Sequence, residues 1–350
     1  MSKINENSTL NVKFVVKPIL FTMYHLNAYM GPCRYGEGYA LTTEADMETT
    51  QREFEIFKEE LKDLDPDNVE LLEPIIVHWN EDFALKESEM QRALEDDDKT
   101  DFYLIRGLRI SSYFAVELAK RTDKPIGHTP NKSAFSKCDH VDMTAHLYAE
   151  GKKGYAFLDF EEMNRTFAAL RVKKALASTK VFFPLKSAML TFGCQSSYLT
   201  LEGVTEKFGV RFAHVNSDEV FQWMDRLTEE EKERAARLAE TLAANSQGVH
   251  MPVEYIKNDT EYFETIKKMM KHYDCNAFTM PCFEVCATRE LDKRKLTFCL
   301  AHSLFKDEGI ASACAGDVGS VLTITILMNI ARKAPYMGNT MVLDKNTNQC

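Results

Sequence analysis

The sequence predicts an α/β fold, built as two consecutive three-layer αβα domains with mainly parallel sheets. Three observations lead there. Short apolar runs alternate with longer amphipathic stretches along nearly the whole chain, which is the pattern of βαβ units. The chain has 350 residues, more than one hydrophobic core usually serves. The alternation runs once, passes a long helical segment, and then starts again.

In the first domain, strands are expected at 12–17, 74–79, 102–107 and 125–128. A helix over 44–64 is stopped by Asp65-Pro66-Asp67, and a second helix covers 111–121. A long helix over 160–178 follows. Asp159 is placed to cap it, with Glu161 and Glu162 in its first turn where the helix dipole favours negative charge. It carries the chain into the second domain. There the strands are expected at 180–185, 210–215, 277–280, 296–300 and 310–314, with a loop at 193–197 and a short helix ending near Gly209. Helices cover 218–227, 259–273, 302–307 and 318–332. Thr228 opens a capping box, Thr-Glu-Glu-Glu, at the head of the charged helix 229–244. A last strand begins at Tyr336-Met337. The expected divisions are 1–175, 176–343, and 344–350 as the start of a C-terminal domain that is missing or absent. No internal repeat is visible.

Composition narrows the function. Net charge is −10, with acidic and basic residues interspersed, so no basic face for nucleic acid is expected. The longest apolar run, 318–331, is too short and too polar for a membrane span. The opening residues lack the apolar core of a signal peptide, which points to the cytoplasm. The chain has nine cysteines, an odd count, and Cys194, Cys275, Cys299 and Cys314 lie in apolar runs. This fits buried thiols in a reducing compartment better than a disulfide frame. The spacing of Cys282 and Cys286 with Cys299 and Cys314 is not that of a zinc knuckle. The loop from Gly31 to Gly38 lacks the G-x-G-x-x-G order of a dinucleotide site. It does follow a strand, on the edge where α/β domains place ligands. Arg34, Tyr35, Trp79, Arg106, His128 and Gln195 are therefore candidates for lining a cleft, and Tyr198 shares the loop of Gln195.

The richest segment is Ala277-Phe278-Thr279-Met280-Pro281-Cys282-Phe283-Glu284, followed later by Cys314-Ala315-Gly316-Asp317-Val318 and an apolar helix. A carboxylate after one strand and a turn after the next are where an enzyme holding a divalent metal and moving a proton would place its acids. In order and in these motifs the chain resembles the L-fucose isomerase and L-arabinose isomerase superfamily. The specific match spans about 278–339, and the order of elements agrees over nearly the whole chain. The resemblance implies the N-terminal and middle domains of such an isomerase. It implies aldose–ketose isomerisation through a metal-stabilised enediol, with Mn²⁺ or another divalent cation as cofactor and a free sugar as substrate.

Carried over by position, Glu284 matches the first catalytic and metal-binding glutamate. Ala315 matches the second, and Asn339 falls near a metal-binding aspartate. Asp317 is a further substrate-lining candidate, although its expected job is at the start of the following helix. Family members also use a histidine from a C-terminal domain that this chain does not reach. They assemble as trimers or hexamers, so a homo-oligomer is expected. Ala315 can neither bind metal nor move a proton. Three outcomes are open: a dead enzyme, a position where Ala is not native, or a site that recruits another group, with Glu290, Asp317 and His302 nearby in sequence. The alternative from another class is a non-catalytic carbohydrate-binding or regulatory relative. A two-domain ligand-binding protein of the periplasmic type is the third reading.

Overall fold

The computed structural model describes residues 4–25, 37–80, 85–108, 111–130, 134–186, 201–338 and 346–347. The chain divides into two compact units, Lys13–Arg171 on one side and Val172–Cys350 with Met1–Val12 on the other.

In the first unit the strands are β1 (Phe14–Tyr24), β2 (Val69–Leu71), β3 (Ile75–Asn80), β4 (Phe102–Gly107), β5 (Ile126–His128) and β6 (Gly154–Ala156). All described pairings are parallel: β1 has β2 and then β3 on one side and β4 on the other, and β5 and β6 follow. The first strand runs straight through Pro18, where the sequence suggested a stop. The Val16 carbonyl accepts from Leu72 and the Val15 carbonyl from Asp101, so even-numbered residues of β1 face β2 and β3. Val16 pairs with Leu71 and Ile19 with Ile75. The nitrogen of Pro18 therefore meets the break between β2 and β3, where no ladder bond is lost.

The helices of this unit are α1 (Thr43–Glu60), α2 (Glu87–Leu94), α3 (Ser112–Ala119), α4 (Ala134–Ala149) and α5 (Phe160–Ala177), the last crossing into the second unit. The two-residue period of the strands sorts the core into two faces. Ile19, Phe21, Val77 and Ile105 pack on α2, α3 and α4 through Met90, Phe114, Leu118 and Met143. Val16, Leu20, Phe102 and Leu104 pack on α1 and α5 through Phe57, Met163 and Phe167.

The second unit has β7 (Lys180–Pro184), β8 (Arg211–Val215), β9 (Ala277–Thr279) and β10 (Ala311–Ala313), all parallel, in the order β10-β9-β7-β8. Around them lie α6 (Leu201–Phe208), α7 (Ser217–Met224), α8 (Glu229–Asn245), α9 (Val253–His272), α10 (Cys282–Ala287), α11 (Glu290–Arg294), α12 (Cys299–Asp307) and α13 (Val318–Ala331). Phe182 and Phe278 point to a core shared with α7, α9 and α12, while Val181, Phe183, Ala277 and Ala311 meet α13. Mixed α/β architecture with parallel sheets is thus present in both units.

Three sequence expectations need correction. Residues 296–300 are not a strand but the entry to α12. The buried Phe298, Ala301, His302 and Phe305 recur at helical spacing, and this outweighs the apolar run. Residues 336–338 form no strand. The opening segment belongs with the second unit rather than the first. There the Asn5 N–H donates to the Glu308 carbonyl at 2.9 Å, Ser8 Oγ donates to the Gly309 carbonyl at 2.5 Å, and Asn329 Nδ2 donates to Thr9 Oγ1 at 3.0 Å. Gly309 has φ +76, and a Cβ on it would come within 2.8 Å of Ser8 Oγ, so only glycine allows this approach. The expected loop 193–197 and the chain from 339 to 345 lie outside the described residues.

Candidate functional site

Both sheets share one winding. Numbering strands within each unit, with β2 and β3 sharing one edge, the order runs second, first, third, fourth, and the first sheet adds β6 as a fifth. The direction of progress reverses between the first and third strands, and doubly wound proteins bind ligands at the carboxyl ends beside that reversal. The reversal lies between β1 and β4 in one unit and between β7 and β9 in the other.

Glu284 sits at the second of these. After β9 the chain turns at Pro281 into α10, whose first turn carries Glu284, half-buried. Its Oε2 accepts the N–H of Lys186, just beyond β7, at 2.8 Å. The carboxylate thus spans the carboxyl ends of the two strands that flank the reversal. The Lys186 ammonium is held 3.0 Å from both oxygens of Asp218.

The neighbouring strand, β10, leads into a tight turn. The Asp317 N–H donates to the Cys314 carbonyl at 3.2 Å, and the two central residues, Ala315 and Gly316, have φ of 61° and 73°. Two successive positive φ values define a type I′ turn, which favours Asn-Gly or Gly-Gly over Ala. Asp317 caps α13: Oδ1 accepts the Ser320 N–H at 2.9 Å and Oδ2 accepts the Ser320 hydroxyl at 2.7 Å. Its role at the helix start is therefore in place, and no substrate is needed to explain it. The turn lies near α10 as well, because the Ala315 backbone N–H works to lower the pKa of the Cys282 thiol. Burial pushes that thiol up, with Cys314 and then Cys286 and Cys299 adding to the rise.

A Mn²⁺-class ion prefers about six oxygen ligands. Among the described residues this edge does not supply them. Glu284 gives one carboxylate, both oxygens of Asp317 serve the cap, and Ala315 has no ligand atom. Asn339 lies outside the described residues, as do Arg34, Tyr35 and Gln195.

The other sequence candidates are described, in the first unit. Trp79 is core, 3% exposed, with its ring against Phe21 and Tyr113. Arg106 is ion-paired with Glu60 and lies over the Phe57 ring. Together with Pro130, Lys137, Leu158, Asp159 and Phe160, this pair lines a cavity of about 430 Å³. His128 ends β5, is fully buried, and belongs to a cluster that the sequence reading missed.

That cluster is His128 with Asp139 and His140 from α4. Each offers a ligand atom within 4.8 Å of the others, so the group is capable of coordinating a divalent metal ion. Ser111, just before α3, knits it together. Its N–H donates to Asp139 Oδ2 at 3.0 Å, and its Oγ lies 2.7 Å from His128 Nε2 and 3.3 Å from Asp139 Oδ2. The two imidazoles stack with centroids 4.1 Å apart and planes at 20°. Burial drives His128 well below the usual imidazole range, helped by His140, and lowers His140 to about 4 against the pull of Asp139. Both rings are neutral at neutral pH, the form that ligates metals. This is no Ser-His-Asp catalytic triad, since Asp139 contacts the serine rather than the ring and Ser111 is itself fully buried. The missed signal was a helical stripe: His140, Met143 and Leu147 are buried at spacings of three and four, with a histidine as the first member.

A second buried imidazole pairs with a carboxylate at the end of β1. His25 Nδ1 lies 2.9 Å from Asp46 Oδ2, and the Thr43 hydroxyl donates to the His25 carbonyl, so this pair anchors α1 to the strand end. Among the described residues, no helix is long and apolar enough to cross a membrane. A scan against protein-family models finds no match to this chain, and a search of curated proteins finds none either.

Proposed function

We propose that this chain is a sugar-handling protein of the fucose and arabinose isomerase type, in which the pair of proton-transfer carboxylates is reduced to one. The observation that carries the reading is Glu284, held across the carboxyl ends of β7 and β9 by the Lys186 N–H. The turn after β10, with Ala315 at its centre, lies near the helix that bears Glu284. Interconversion of an aldose and a ketose moves a proton between adjacent carbons, and each positioned acid or base contributes roughly 10²–10⁴-fold. Glu284 is the group that would hold that proton, and Ala315 supplies no partner. Because the described donors do not fit a divalent cation at this edge, no step is assigned to one. The reading includes a cytoplasmic homo-oligomer, whose size light scattering would measure.

The test is turnover and binding on a panel of aldoses and ketoses, with Mn²⁺ added, for the native chain, Ala315→Glu and Glu284→Gln. The expected result is sugar binding by the native chain with slow turnover, a gain of about 10²–10⁴-fold in Ala315→Glu, and loss of turnover in Glu284→Gln. If no sugar binds, or if Glu284→Gln changes nothing, the reading fails. Binding with no turnover even in Ala315→Glu would favour the second reading, a non-catalytic carbohydrate-binding relative. The incomplete donor set around Glu284 is what supports that alternative.

A further inference from the structure

We propose that His128, His140 and Asp139 form a zinc-class cation site in the unit Lys13–Arg171, with Ser111 as its positioning residue. The site would tie the end of β5 to α4. This inference does not rest on the sugar reading, whose site is built on Glu284, although the sequence alone offers His128 as a cleft-lining candidate.

The donor chemistry comes first. Two imidazoles and one carboxylate are three ligands of the kind that zinc and its neighbours accept, leaving a fourth position for water. The three ligand atoms already converge within 4.8 Å.

The second observation is a half-used ring. His128 is 0% exposed, and its Nδ1 has no hydrogen-bond partner among the described residues. Its Nε2 is engaged with the Ser111 hydroxyl at 2.7 Å. If Nε2 carries the hydrogen, Nδ1 is a bare buried lone pair. If Nδ1 carries it, a buried donor is left without an acceptor. A cation bound through one nitrogen while Ser111 holds the other uses the ring completely. A packing role for two stacked rings does not, since an apolar ring would serve as well without the orphaned atom.

The third observation is the support. Ligating histidines are generally fixed by an outer hydrogen bond from the other nitrogen, and ligating carboxylates are hydrogen-bonded in turn. Ser111 does both, through its hydroxyl to His128 and its N–H to Asp139. Asp139 is half-buried while His140 is 3% exposed, so entry and the water position lie on the Asp139 side. The rings stack at 20°, so their lone pairs run side by side. One ring must turn about χ2, a broad two-fold torsion, for both to reach one ion.

The experiment uses the full chain, treated with chelator and then titrated with Zn²⁺ by calorimetry and with Co²⁺ by absorption. The expected result is one equivalent bound, a cobalt spectrum of nitrogen and oxygen ligands, and a higher Tm with zinc that chelator reverses. His140→Gln should abolish binding. Asp139→Asn, which keeps the shape and an acceptor for Ser111, should weaken it at least tenfold with an unchanged far-ultraviolet circular dichroism spectrum. Ser111→Ala should cost about 10–100-fold, and Ser111→Thr should restore most of it. Thiolate charge-transfer bands would move the metal to the cysteines and overturn the proposal. So would undiminished affinity in both Asp139→Asn and His140→Gln, or no binding at a large excess of zinc.

Discussion

In the unit Lys13–Arg171 the strand ends carry imidazoles sunk in the core. In the unit of β7 to β10 they carry a half-buried carboxylate, thiols and a strained turn. The winding is the same in both, so strand order sets where chemistry can sit but not which chemistry. Depth is what differs. β5 ends beneath α4, so His128 is buried and meets other side chains. β9 ends beneath a single short helix, so Glu284 stays near solvent and meets main chain. The first arrangement suits a tightly held ion and the second an exchanging ligand.

The largest expected effect tests whether the two regions are independent. Phe102 packs on Phe14, Tyr155 and Phe167 in one core, and Phe278 on Phe182, His302 and Phe305 in the other. Phe102→Ala and Phe278→Ala should each cost about 3–5 kcal/mol. Amide exchange should place the loss in the mutated unit alone. Equal loss of protection throughout would merge the two regions into one cooperative block.

Acid should sharpen the contrast from the second unit. Burial lowers His302 from 6.5 to about 3, with Lys306 adding to the fall. Between those values the unfolded chain binds a proton that the folded chain refuses, so stability rises with pH there. Urea unfolding should therefore show a loss of about 1.4 kcal/mol per pH unit as pH drops below 6.5, levelling off near 3. His302→Gln should lack that slope, whatever it costs at neutral pH. An unchanged slope would mean the acid response comes from elsewhere.

The smaller effects concern the turn after β10. Asp317→Ala should cost about 1 kcal/mol through the lost cap, and Asp317→Asn almost nothing. A large penalty for Asn would give this carboxylate a charge-dependent task. Ala315→Gly should raise stability by about 1 kcal/mol, because an L-residue at positive φ is strained and glycine is not. Thermal unfolding would read both.

How much of this was legible in the sequence follows from the range of each signal. Caps are local, and they were read correctly: Asp159 Oδ1 accepts the Glu162 N–H at 2.7 Å, and Thr228 with Glu231 closes a capping box. The apolar runs marked most of the strands but missed β2 and β6 and wrongly added 296–300 and 336–337, and they carried no information on the order of strands within each sheet. The passage of β1 through Pro18 could not be seen, because it depends on a break in a neighbouring strand more than fifty residues away in the register of β2 and β3. The imidazole cluster was half visible. His128 was selected for its strand end, but Asp139 and His140 reach it only through the crossover of α4, and Ser111 reaches it from the start of α3. At Glu284 the sequence marked the residue, and the Lys186 N–H that holds it belongs to a different strand.

The opening segment has one more consequence, and it concerns assembly. Ser8, Thr9 and Leu10 bond to partners 301, 320 and 322 residues away, at Gly309, Asn329 and Arg332. The unit Lys13–Arg171 is continuous and sits, in sequence, as an insertion between the first piece of the other unit and the rest of it. A chain emerging from the ribosome can complete the inserted unit while the other still waits for its second half. Until the chain beyond Glu308 is made, the opening segment lacks its partners at Glu308 and Gly309, and until α13 is made it lacks those at Asn329 and Arg332. The insertion also shortens the loop that must close, because a folded insert holds far fewer conformations than a free chain of its length. Anything that unfolds the inserted unit should therefore slow the docking of the opening segment, without touching a single residue of its binding surface.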